Sequence, residues 1–136
     1  MNRVKKLKCT LGSEYAYQRF MSDREVSRLR RQTPQHMEDT VAASLTVGCI
    51  KINAVLFQAD CSLRLGYDVY VKDSPGSSEW ICFDSPSTPA SLKESDMLAV
   101  LDRIVSENGL SYTECCFEKL DGRQVKPYEK LLEDRK

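Results

Sequence analysis

The clearest alternation of apolar and polar positions in the chain begins at Leu63. Every second residue from Leu63 to Val71 is apolar or aromatic, a period of two that is typical of a strand with one buried face. The turn-forming residues 73–76 follow, and Glu79–Asp84 is again rich in aromatic and β-branched side chains. The pattern predicts a β-hairpin, and the rest of the chain must cover its apolar face.

Strand-like patterns also occur on both sides of this hairpin. From Ser44 to Phe57 the apolar spacing predicts strand, with Asn53-Ala54 as a turn or bulge within it, while residues 35–43 add one or two helical turns before it. Residues 110–120 predict a last strand, followed by a tight Asp121-Gly122 turn and a short helix over residues 128–133.

The strongest helical pattern runs from Ser91 to Asn108. Ser91 and Glu94 have the spacing of a capping box, and Asn108-Gly109 is a typical helix end. The apolar residues between them recur at helical spacing and predict one face that packs on the sheet. They are Leu92, Met97, Val100, Leu101, Ile104 and Val105.

The N-terminal part predicts two short helices. Ser13 is the expected cap of the first, which carries aromatic side chains. A second capping box, Ser22 with Glu25, starts a helix that ends before Pro34. That helix has a thin apolar stripe on one side and arginines at helical spacing on the other. The stripe is Val26 and Leu29, and the arginines are Arg24, Arg28 and Arg31.

These elements together predict an α+β fold. We expect a small antiparallel sheet of about four to five strands with one main packed helix, a basic N-terminal helix and a short C-terminal helix. The chain has 136 residues, which suits one hydrophobic core. We divide it into a basic N-terminal arm, residues 1–43, and an α+β core domain, residues 44–136.

Composition argues against several classes of protein. Apolar residues make up 41% and charged residues 29%, as in ordinary soluble domains, and no apolar run reaches the roughly 18 residues of a membrane span. We find no secretory signal, so we expect a cytoplasmic protein with its six cysteines reduced. With no Cys-x-x-Cys, only one histidine (His36) and no glycine-rich phosphate loop, we expect no metal, no cofactor and no catalysis.

The net charge of zero conceals an asymmetry. Residues 1–37 carry nine Lys and Arg against three acids, whereas residues 38–136 carry 11 against 17. Arginines at helical spacing bind phosphate backbones through charge, and upstream aromatic residues can stack on bases. This predicts a nucleic-acid or partner-binding site, with Phe20 as a further stacking candidate. Its residues are Tyr15, Tyr17, Arg19, Arg24, Arg28, Arg30 and Arg31.

Other interpretations compete with this one. The basic helix can be a solvated face that pairs with the acidic body, and that body can instead mimic the phosphates of a nucleic acid. A metal-dependent nuclease is the enzymatic alternative, with Asp60, Asp68 and Asp84 as ligands and Lys72 near the phosphate. A protein–protein module or homodimer paired through an exposed strand edge is the third.

The overall outline has a resemblance. The chain is compact, with a basic N-terminal segment (Arg19–Arg31) and a small predicted sheet beside one clearly predicted helix (Ser91–Asn108). In these features the protein resembles small accessory proteins of phages and mobile elements, anti-CRISPR inhibitors among them. The resemblance rests on architecture and transfers no residue role. It implies a protein that binds, and inhibits, a nucleoprotein complex such as a CRISPR effector, without chemistry of its own.

Overall fold

Within the residues that the structure describes, the fold is a five-stranded antiparallel sheet with two helices. The computed structural model describes residues 15–31, 38–59, 62–72 and 76–112. The strands lie in the sheet in the order in which they occur in the chain, so each pairs with the one before it. The strands are β1 (Tyr15–Arg19), β2 (Thr40–Val47), β3 (Ile50–Ala59), β4 (Ser62–Val71) and β5 (Ile81–Asp84), and the helices are α1 (Asp23–Arg31) and α2 (Glu94–Asn108). The α+β class and the antiparallel sheet are confirmed.

The centre of the sheet is the pair β3 and β4. It runs in continuous antiparallel register from Ile50 opposite Val71 to Ala59 opposite Ser62. The predicted pairing of β4 with the strand that follows it is also confirmed, since Val71 lies opposite Ile81. Because side chains alternate between faces, the apolar positions of these strands form one continuous surface under α2.

Helix α2 covers that surface with its apolar side. Its buried residues are Met97, Leu98, Val100, Leu101 and Ile104, close to the predicted set. The helix ends at Gly109, whose φ of 63° suits glycine. The predicted capping box is wrong: the helix begins at Glu94, and the Ser91 hydroxyl accepts a hydrogen bond from the Lys93 N–H (3.1 Å) rather than from Glu94.

Two predicted helical segments are strands. Tyr15–Arg19 forms edge strand β1, because it pairs with β2 from Tyr15 opposite Val47 to Arg19 opposite Ala43. Residues 40–43, predicted to be helical, begin β2, with a register shift between Val41 and Ala43. In both cases pairing with a strand distant in sequence overrides the local pattern.

The turn between β2 and β3 is Gly48-Cys49 rather than the predicted Asn53-Ala54. Asn53 lies inside β3, opposite Asp68. Gly48 has a φ of 61°, and the Cys49 N–H donates to the Tyr112 carbonyl (2.7 Å). Residues 110–112 are not strand, and the rest of the predicted strand 110–120, the turn at 121–122 and the helix 128–133 lie outside the described residues.

The sheet face opposite α2 is also largely buried. Val55, Phe57 and Asp68 have at most 6% of their surface exposed there. The Phe57 ring lies over Gly66, since a Cβ placed on that glycine would be 2.9 Å from the ring. In the part of the chain that the structure describes, neither helix has the length and apolar character needed to cross a membrane.

Candidate nucleic-acid interface

Helix α1 presents the arginines predicted to bind nucleic acid. Its start is fixed by a reciprocal cap: the Ser22 hydroxyl accepts from the Glu25 N–H (3.1 Å), and the Glu25 carboxylate accepts from the Ser22 N–H (3.3 Å). Val26 is buried in the same hydrophobic cluster as the sheet and α2, and Leu29 packs against that cluster. These contacts orient the helix and decide which of its sides meets solvent.

Three arginines share the solvent side of α1. Arg24, Arg28 and Arg31 are all exposed. At about 100° per residue they fall within an arc of roughly 60°, opposite Val26. We call these three residues the arginine ridge. Arg30 is exposed as well, but it lies on the flank of the helix next to the buried stripe.

Arg19 lies at the junction of β1 and α1 and is partly engaged within the chain. Its guanidinium forms an ion pair with Asp23 (2.9 Å), and its Nε donates to the Met21 carbonyl (3.1 Å). The Asp23 side chain is 75% exposed, so solvent screens the pair and its contribution to stability is small. Arg19 is therefore held in place by the first turn of α1.

Tyr15 and Tyr17 connect β1 to the start of α2. The Tyr17 hydroxyl donates to the Leu92 carbonyl (2.5 Å), and the Tyr15 hydroxyl donates to the Glu94 carboxylate. Burial, together with this hydrogen bond and the charge of Glu94, raises the pKa of Tyr15. Both rings are half-buried against the core, so the structure directs these two predicted contact residues towards α2.

Phe20 is the aromatic residue that the structure leaves open to solvent beside α1. Its side chain is 55% exposed, although its backbone N–H is anchored to the Ala42 carbonyl (2.9 Å). It lines an open pocket of about 520 Å³ with its neighbours Arg19, Met21, Ser22 and Asp23. An exposed aromatic ring next to arginines is a platform on which a base can stack.

The carboxylates considered for a nuclease do not assemble within the described chain. Asp68 is fully buried and accepts from the Tyr70 hydroxyl (3.5 Å), while Asp84 accepts from the Ser85 N–H (2.8 Å). Asp60 lies outside the described residues. Among the residues that are described, no three His, Cys, Asp or Glu side chains form a group that could hold a metal ion.

Two of the six cysteines are described. Cys49 and Cys82 are both buried, and neither forms a disulfide. Burial raises the pKa of Cys82 to about 12, and the charge of Asp84 adds to this rise. A thiol with a raised pKa is a poor nucleophile at neutral pH, and Cys82 therefore acts as an apolar core residue.

Comparisons with known proteins give no family assignment. No family model, curated protein or solved structure matches the chain.

Proposed function

We propose that this chain is a non-enzymatic binding protein that contacts a nucleic acid, alone or within a nucleoprotein complex, through α1. The observation that carries the proposal is the arginine ridge: three exposed guanidinium groups on one side of a helix whose other side is held by Val26. Such an array neutralises successive phosphates and releases their counterions, which favours binding whatever the base sequence.

The surroundings of the ridge support this use of it. Asp23 and Glu25, the two acids of α1, lie in its first turn, where one pairs with Arg19 and the other caps the helix. Glu25 lies three residues before Arg28, but its carboxylate is engaged in the cap with Ser22. Arg24 and Arg31 have no acid of α1 three or four residues away. Phe20, exposed beside Arg19 just before α1, provides a stacking group at the start of the same helix.

The direct test is binding of a fluorescently labelled single-stranded oligonucleotide, measured by anisotropy over a range of salt concentrations. We expect a strong salt dependence for the unmodified chain. The Arg24→Ala/Arg28→Ala/Arg31→Ala variant should bind much more weakly, and the slope of log affinity against log salt should fall by about 2, at roughly 0.7 per lost phosphate contact.

A matched control separates the ridge from general charge. Arg103 is an exposed arginine of α2 whose guanidinium donates to the Thr88 hydroxyl (2.6 Å). Arg103→Ala should leave the affinity and the slope nearly unchanged. Equal losses in Arg103→Ala and in a single ridge variant such as Arg28→Ala would refute a specific role for the ridge.

The wider roles implied by the architectural resemblance need a second experiment. Affinity capture from host lysate, with and without nuclease treatment, tests whether a nucleoprotein complex such as a CRISPR effector is retained. Loss of that complex in the triple-arginine variant would support an inhibitor that acts through the ridge.

Light scattering across a range of protein concentrations tests the homodimer in the same preparation, since a dimer joined by strand edges should not depend on these arginines.

A further inference from the structure

Two lysines from neighbouring strands approach one indole ring. The Nζ atom of Lys51, in β3, is 4.5 Å from the centre of the Trp80 ring, and that of Lys72, just after β4, is 4.9 Å from it. Lys51 also lies over the Tyr70 ring at 5.3 Å. We call Lys51, Tyr70, Lys72 and Trp80 the lysine–tryptophan cluster.

The cluster lies on the sheet face opposite α1 and α2. Lys51 and Tyr70 are cross-strand partners, and their side chains point away from the face that contains Ile50 and Ile52. Val26 of α1 belongs to the hydrophobic cluster that includes these isoleucines. The lysine–tryptophan cluster is therefore separate from the arginine ridge, and an inference about it does not depend on the function proposed above.

The arrangement concentrates positive charge. Both ammonium groups lie against the same ring, so they are less than about 10 Å apart, a separation at which physiological salt does not fully screen their repulsion. Burial, and then the charge of Lys72, lower the pKa of Lys51. The contacts with the rings offset only part of the repulsion between the two lysines and of the desolvation of Lys51, because each cation–π contact contributes modestly at a partly exposed site.

The acidic groups nearby differ from the lysines in exposure. Asp68 lies on the same face and accepts from the Tyr70 hydroxyl, but it is fully buried, whereas all four members of the cluster are partly exposed. Glu79 precedes Trp80 and is exposed to solvent. Asp68 is therefore less accessible to a ligand from solvent than the lysines and rings of the cluster.

We propose that the lysine–tryptophan cluster is a binding site for a phosphate group, with Lys51 and Lys72 as its two cationic ligands. A phosphate carries up to two negative charges and several acceptor oxygens, so it can accept hydrogen bonds from two ammonium groups at once, and lysine is a common phosphate ligand. The adjoining indole and phenol rings suit a nucleotide, whose base can lie beside its phosphate. Free phosphate and the backbone of a nucleic acid offer the same chemistry.

The site contains its own reporter, because Trp80 is the only tryptophan in the chain. Its fluorescence can be followed while inorganic phosphate, and separately a short oligo-dT strand, are added at constant ionic strength. We expect a saturable change with at least one of the two probes. Saturation with phosphate identifies a site for the free anion, and saturation with oligo-dT alone identifies a site for the nucleic-acid backbone.

Variants make the assignment specific. Lys51→Gln and Lys72→Gln should each raise the half-saturating concentration at least roughly tenfold, since each removes a charged contact. The triple-arginine variant should keep the wild-type fluorescence response to inorganic phosphate, which separates this site from the ridge. Calorimetry on Trp80→Phe tests the site without the reporter, and circular dichroism verifies that each variant folds.

Two results would overturn the proposal. One is the absence of any saturable response to either probe in the correctly folded protein. The other is an unchanged half-saturating concentration when Lys51 and Lys72 are both replaced by glutamine.

Discussion

The carbonyl oxygen of Tyr112 occupies the space in which a side chain at Gly48 would begin. A Cβ atom built on Gly48 would be 2.0 Å from that oxygen, far inside van der Waals contact. The same oxygen accepts the Cys49 N–H at 2.7 Å. The chain that leaves α2 is thus attached to the turn between β2 and β3 through a position that only glycine allows.

Gly48→Ala should destabilise the fold by about 2 to 4 kcal/mol, because it adds a steric clash with backbone to the strain of a positive φ. Gly109→Ala is the matched control. Its φ is 63°, but nothing lies within 4 Å of its Cβ position, so only the strain of about 1 to 2 kcal/mol applies. Urea unfolding of both variants measures the difference, and equal losses would contradict the clash.

Gly66 gives a second packing prediction. Because its Cβ position is 2.9 Å from the end of the Phe57 ring, Gly66→Ala should force the ring to move and cost about 1 to 3 kcal/mol. Phe57→Leu removes the obstacle. In a double-mutant cycle by chemical unfolding, the Gly66→Ala/Phe57→Leu variant should be more stable than the sum of the single effects by about 1 kcal/mol. Strict additivity would show that the two residues do not interact.

Cys82 should make stability fall at alkaline pH. The thiol of the unfolded chain loses its proton near the ordinary pKa of 9.0, whereas the folded protein keeps the proton up to about pH 12. The free energy of unfolding due to this group is therefore fully present below pH 9 and decreases as pH rises from 9 to 12. Between pH 8 and pH 10, the wild type should lose about 1.4 kcal/mol more than Cys82→Ala. Parallel curves for the two proteins would contradict the raised pKa.

Tyr17→Phe separates the structural role of this tyrosine from a role in binding. The change removes the hydrogen bond to the Leu92 carbonyl and should lower the free energy of unfolding by about 1 to 2 kcal/mol. The oligonucleotide affinity should stay the same, because the hydroxyl faces α2 and not the ridge. Loss of affinity at temperatures where the variant remains folded would instead support a direct contact by Tyr17.

Phe20→Ala should show the opposite behaviour. The ring is 55% exposed, so its removal should change thermal stability little, whereas oligonucleotide affinity should fall roughly tenfold if a base stacks on it. Val41→Ala is the control, since Val41 is the other large apolar residue exposed in the described chain, at 36%. Similar affinities for the two variants would exclude Phe20 from the interface.

Much of the sheet could be predicted from the sequence because its pattern is local. The alternation from Leu63 to Val71 predicts a strand, although Asp68 on its polar side is buried as well, and the spacing from Met97 to Ile104 predicts an amphipathic helix. Tyr15–Arg19 could not be assigned in this way. Its alternating tyrosines fit a strand and its wider apolar spacing fits a helix, and pairing with β2, about 28 residues later, decides between them.

The two candidate sites also differ in whether the sequence alone could predict them. The arginine ridge could be predicted, because residues at helical spacing become neighbours through one local element. The lysine–tryptophan cluster could not, since Lys51, Lys72 and Trp80 meet only after β3, β4 and the segment before β5 have folded together. The sequence of β3 also gave no indication that Asn53 lies inside a continuous strand. Asn53 lies opposite Asp68 of β4, and this pairing between strands is not visible in the sequence of β3 alone.

The order of the strands has a consequence for how the chain folds. Only two residues separate β3 from β4 in the sequence, so the entropy lost on bringing these strands together is small. β1 reaches β2 only after the chain has passed through α1, which makes its closure slower. The sheet should therefore grow outward from its centre, and the amide hydrogens of β3 and β4 should be the last to exchange with solvent deuterium.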